Sequence, residues 1–148
     1  MKKKVVYKII ITTVLVYVLA IIHTYISLNE YTNTQSSACF NCSFINEIIR
    51  YSLISLFLLP TFVFINKIPL SRKFIIILLS VFFMLILFLI SANIFEARVS
   101  SWSSYSTIEF YLSVLKKTMF TLPIFTFLFF LFLKFFYLDS KNYSSNEL

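Results

Sequence analysis

Between Phe74 and Phe95 the chain reads FIIILLSVFFMLILFLISANIF, and none of those side chains carries a charge. Three further stretches are like it. Ile9 to Asn29 is uncharged. Tyr51 to Asn66 is uncharged and reaches back to about Phe44 if Glu47 and Arg50 are tolerated near its end. Thr118 to Leu138 is broken only by Lys134. A hydrocarbon layer of ~30 Å takes about 20 helical residues, and each stretch supplies them. Membrane strands would need alternating polarity over about 10 residues, which these runs lack. In lipid every backbone group must be satisfied internally, which leaves helices. The chain is thus expected to be an all-α, polytopic membrane protein. Its single four-helix transmembrane domain covers residues 1–148, with spans near 9–28, 45–66, 74–95 and 118–138.

Charge gives the expected orientation. Four spans place both termini on one side. With that side cytoplasmic, it holds Lys2, Lys3, Lys4, Lys8, Lys67, Arg72, Lys73, Lys134 and Lys141, against Arg50, Arg98, Lys116 and Lys117 outside. The excess of lysine and arginine within favours N-in and C-in. The net charge of +7 is then a topology signal at span ends, and no nucleic-acid partner is expected. The first apolar run is too long for a cleaved signal, and no small-x-small site follows it.

The chain has 19 phenylalanines and no glycine. Membrane helices usually approach one another through small residues, so close contacts fall to Thr12, Thr13, Ser52, Ser55, Ser80, Ser91, Ala92, Thr121 and Thr126. Pro60 and Pro123 interrupt spans and are expected to kink them. In the second outer loop, Ser106-Thr-Ile-Glu109 has capping-box spacing. A helix starting there is expected to continue through the fourth span for about 30 residues, roughly 45 Å. Trp102, Lys116 and Lys117 are candidate interfacial residues, with Tyr105, Phe110 and Tyr111 as further aromatic anchors.

The sharpest candidate chemistry is Cys39-Phe40-Asn41-Cys42 in the first outer loop. Two intervening residues suit a redox dithiol, and an oxidising compartment also allows a static disulfide. Glu47 and Arg50 are three apart on the next helix and can pair with each other. His23, roughly two turns from the outer end of the first span, can face Glu47, giving a candidate polar cluster of His23, Glu47 and Arg50. With one histidine and two cysteines, no metal site is expected. No nucleophile–base pair or phosphate-binding loop can be assembled, so an enzyme is the less expected class.

Two resemblances follow from these features. Four spans, both ends inside, and a Cys-x-x-Cys at the outer mouth of the second span followed by an arginine resemble the disulfide bond formation proteins of the DsbB type. That resemblance implies a thiol:quinone oxidoreductase with Cys39 and Cys42 as the redox pair, Arg50 as a quinone contact and quinone as cofactor. The family's second cysteine pair has no counterpart in the loop 96–117. The overall plan, with short loops and a polar second outer loop entered through Asn93-Ile-Phe-Glu96, resembles the inner-membrane immunity proteins of pore-forming colicins, of the colicin A type. It implies a protein without a cofactor in the bacterial inner membrane. That protein would bind the membrane-inserted helices of a pore-forming toxin and block channel opening. A structural subunit of a membrane complex fits the same features. Abundant Phe, Ile, Asn, Lys and Tyr without glycine point to an AT-rich bacterial or mobile gene.

Overall fold

A computed structural model describes residues 3–65 and 71–138, and these contain helices and turns but no strand. Lys2, Lys67, Lys141 and the polar tail 139–148 lie outside the described residues. The elements are α1 (Lys3–Leu28), α2 (Phe44–Ser52), α3 (Leu58–Ile65), α4 (Arg72–Arg98), α5 (Thr107–Thr118) and α6 (Thr121–Leu138). Short 3₁₀ turns sit at Asn29–Tyr31, Leu53–Phe57 and Ser100–Trp102. Three helical stretches are long and apolar enough to cross a membrane, Tyr7–Tyr31, Phe44–Thr61 and Lys73–Trp102. The pair α5–α6 makes a fourth if counted as one bent span.

Serines start three of the helices. Ser43 Oγ accepts from the Asn46 amide, Ser71 Oγ from the Phe74 amide and Ser106 Oγ from the Glu109 amide. Each satisfies an amide that the first helical turn leaves without an intrahelical acceptor. At Ser106 the Glu109 carboxylate also accepts from the Ser106 amide at 3.0 Å, completing the capping box.

Pro60 and Pro123 both mark breaks, each four residues downstream of the carbonyl it cannot serve. Proline lacks the amide that would bond the carbonyl at i−4, and its ring crowds that carbonyl. For Pro60 the carbonyl is that of Leu56, and the second apolar stretch tightens into 3₁₀ geometry over Leu53–Phe57. Ser55 Oγ adds a bond back to the Ser52 carbonyl, 2.6 Å. For Pro123 it is that of Met119. There the expected continuous helix from Ser106 is interrupted at Met119–Phe120, and α5 and α6 are bent by 59°.

Helix α4 is the centre of the bundle and touches every other helix. Its buried face, Leu79, Phe83, Leu87, Ile90 and Ile94, meets Val16 and Ala20 of α1 and Phe129 and Leu133 of α6 in one core. The Phe83 and Phe129 rings pack at 4.5 Å between centroids. Of the small residues expected to make the close contacts, Thr12, Ser52, Ser55, Ser80, Ser91 and Ala92 are buried, while Thr13, Thr121 and Thr126 are half-buried. The outward faces are apolar too. Ile10, Val14, Val18 and Ile22 recur at four-residue spacing along α1, and Ile77, Val81, Leu85 and Leu89 along α4. A helix that is apolar all round has no amphipathic stripe to announce its buried face, so the core side is chosen by fit.

Candidate functional site at the Arg98 end of the bundle

Arg98 is the last residue of α4, and its side chain turns inward rather than toward the surface. Both it and Glu47 are 3% exposed. Arg98 Nε donates to Glu47 Oε2 at 2.6 Å. Its Nη1 lies within bonding reach of the carbonyls of Tyr31 at 3.1 Å, Thr32 at 3.4 Å and Thr34 at 2.6 Å. Its Nη2 donates to the Cys42 carbonyl at 3.3 Å. The guanidinium also lies 5.0 Å from the centroid of the Phe44 ring. Arg98 thus sits in a cup of backbone carbonyls closed by one carboxylate. A fixed planar fork of five donors suits such a cup better than a point charge would.

The cup gathers the loop from Asn29 to Ser43 onto the end of α4. Further bonds tie the same surfaces. The Ser37 amide and hydroxyl both donate to the Ala97 carbonyl, at 2.8 and 2.9 Å. Trp102 Nε1 donates to the Gln35 carbonyl at 2.9 Å. Cys39 and Cys42 are joined in a disulfide with Cα atoms 5.3 Å apart. Between them Phe40 projects outward and packs edge-on against Trp102, 6.1 Å between centroids.

The residues singled out in the sequence do not form one cluster. Glu47 is paired with Arg98 and not with Arg50, which is exposed on α2. A buried carboxylate needs a partner that is buried with it, and Arg98 enters from α4 where Arg50 cannot. His23 faces α6 rather than Glu47. Its Nε2 lies 3.2 Å from Thr121 Oγ1 and 3.5 Å from Ser27 Oγ, the two hydroxyls are 2.6 Å apart, and Phe125 packs edge-on against the ring. Lys117 forms an ion pair with Glu30 and lies 5.7 Å from the Tyr31 ring centroid, and Lys116 is exposed. Trp102 is largely exposed apart from its bonded indole nitrogen.

Arg98 is the site residue that sequence reasoning counted only as a loop charge. The one signal available was an arginine three residues past the end of a 22-residue uncharged run. Nothing local links it to Glu47, which is 51 positions away.

At the start of α5, ahead of the fourth apolar stretch, the Ser106 backbone amide and then its hydroxyl hold the Glu109 carboxyl below its ordinary range. Among the described residues no three of His, Cys, Asp and Glu come together as a metal cage requires. No protein-family model, curated protein or solved structure matches the chain.

Proposed function

We propose that the chain is a four-span inner-membrane protein of a bacterium, with both termini in the cytoplasm, that acts by binding the transmembrane helices of a partner. The specific reading is immunity to a pore-forming bacteriocin. What supports the membrane assignment is the inside-out surface. The outward faces of α1, α4 and α6 are Ile, Val, Leu and Phe at helical spacing, while Thr12, His23, Ser52, Ser55, Ser80 and Ser91 face inward. Water would favour the reverse, whereas lipid accepts it.

The partner-binding reading rests mainly on one observation: the strongest polar groups are committed to holding the loop end in shape. Arg98 spends its donors on Glu47 and on carbonyls of the loop between α1 and α2. The result is a preorganised polar face above a bundle whose apolar flanks are available to other helices. Helix association in lipid draws on packing and on Ser and Thr hydrogen bonds, and the flanks supply the first. The test is survival of bacteria carrying this gene under challenge with a panel of pore-forming toxins. Protection, with the chain crosslinked to the toxin's membrane-inserted segment, is the expected result. Absence of protection across the panel, at normal membrane levels, overturns the toxin reading.

The bridge between Cys39 and Cys42 favours a second reading, thiol:quinone oxidation. Both residues are half-buried and so within reach of a partner thiol. Arg50, the residue that the DsbB resemblance casts as quinone contact, is exposed on α2, and Arg98 instead bonds the Cys42 carbonyl. Thiol trapping in native membranes separates the readings. A pair that becomes reduced on quinone depletion and reoxidises on its return supports catalysis.

A further inference from the structure

Three shallow clefts run end to end across the loop end of the bundle. The first, of about 470 Å³, is lined in part by Tyr105 and Glu109. The second, of about 260 Å³, shares Tyr105 with the first and adds Glu96 and Tyr111. The third, of about 190 Å³, shares Glu96 and continues to Ser101 and Tyr51. The shared residues make them one furrow. No lysine or arginine lines any part of it, although the chain as a whole carries a net charge of +7.

Glu96 occupies the middle of this furrow, lining both the second and the third cleft. It stands in the last turn of α4, where the helix dipole is negative and a carboxylate is unfavourable. Arg98, in the same turn, gives it no relief, because its guanidinium turns inward to Glu47. Among the described residues the Glu96 carboxylate has no ion pair. Helix end and carboxylate therefore add to one local negative potential, and Tyr51, Tyr105 and Tyr111 line the same clefts. Carboxylate and aromatic faces together attract an organic cation. The furrow is also held in shape beforehand, since the Ser37 amide and hydroxyl fasten its floor to the Ala97 carbonyl. Preformed surfaces lose less on binding.

We propose that this furrow docks an extended segment of a partner protein that places a lysine or arginine side chain against Glu96. The elongated shape favours a peptide over a single lipid headgroup, which would fill only one of the three clefts. The proposal rests on the partner-binding reading and names the surface and the chemistry of the partner.

The test uses the full chain in uncharged maltoside micelles, with Trp102, the one tryptophan of the sequence, as fluorescent reporter next to Ser101. The probe is a blocked hexapeptide carrying two lysines, compared with its glutamine counterpart. The expected result is saturable binding of the lysine peptide alone, weakened about fivefold by Glu96→Gln and by added salt. Glu30→Gln, at the carboxylate already paired with Lys117, leaves it unchanged. Equal binding of both peptides, no binding of either, or indifference to Glu96→Gln overturns the proposal. Displacement of the peptide by phosphatidylethanolamine added to the micelles makes a lipid ammonium the occupant and also overturns it. Binding is read here without any toxin. A chain that binds the lysine peptide through Glu96 yet protects no cell refutes the toxin reading alone.

Discussion

Arg98 and Glu47 meet at 2.6 Å in the buried end of the bundle, 51 residues apart in sequence. Each is 3% exposed, and the remaining donors of Arg98 go to carbonyls on both sides of the Cys39–Cys42 loop. The pair therefore joins three elements, the loop after α1, the start of α2 and the end of α4.

Removing one partner leaves a buried charge alone. Arg98→Ala is expected to destabilise the chain by about 3–5 kcal/mol, read as the midpoint of unfolding in a mixed micelle titrated with denaturing detergent. Glu47→Gln costs less, because the carbonyls still hold the guanidinium. The double variant is expected to fall short of the sum of the two, as contacting residues do. Strict additivity would show that the two side chains do not interact in solution.

Thr121→Val removes the hydroxyl shared by His23 and Ser27 while keeping its shape. Interhelical hydrogen bonds in membrane proteins average about 0.6 kcal/mol, so a loss of that order is expected in the same unfolding assay. A loss several times larger would mean that the three side chains act as a unit.

Pro123→Ala restores the amide that Met119 lacks as a partner. The bend between α5 and α6 is expected to open, lengthening the distance between spin labels at Leu112 and Leu128. An unchanged distance would assign the bend to the Lys117–Glu30 ion pair and the packing of α5 on α4.

The capping box at Ser106 gives a pH dependence with a definite sign. The Glu109 carboxyl is held below its ordinary 4.5 by bonds from Ser106. A depressed folded value contributes stability that is complete above the unfolded value and lost as pH falls through the folded one. Hydrogen exchange at the Glu109 amide, the amide capped by Ser106, is therefore expected to lose protection only once pH falls below the ordinary value of 4.5 and through the lowered one, and Glu109→Gln to remove that acid step. A step at neutral pH would contradict it.

On the partner-binding reading proposed above, Cys39→Ser with Cys42→Ser is expected to leave that binding and the amount of folded protein intact, because the loop stays tied through Arg98, Ser37 and Trp102. Loss of activity in the double variant, with unchanged amounts, would move the thiol reading forward.

The long helices were legible because a run of twenty uncharged apolar residues has few other uses, and the Ser106 cap because it is complete within four residues. The proline positions announced breaks, and the i−4 relation locates them at Leu56 and Met119. The partners of Glu47 and His23 were not legible. Arg50 lay three residues from Glu47 and was the nearest charge, but pairing inside a bundle depends on which helix lies opposite. Helices apolar on every side give no periodic clue to that.

The carbonyl cup also sets an order of events during synthesis. The loop from Asn29 to Ser43 leaves the ribosome well before the residue that organises it. Until Arg98 arrives at the far end of α4, the carbonyls of Tyr31, Thr34 and Cys42 lack their donor and Glu47 its counter-charge. The first two long stretches can form helix early, but the face above them takes its shape only once the third is in place. A nascent chain that ends before Arg98 cannot make that face, so its folded form is evidence that α4 has been delivered and seated.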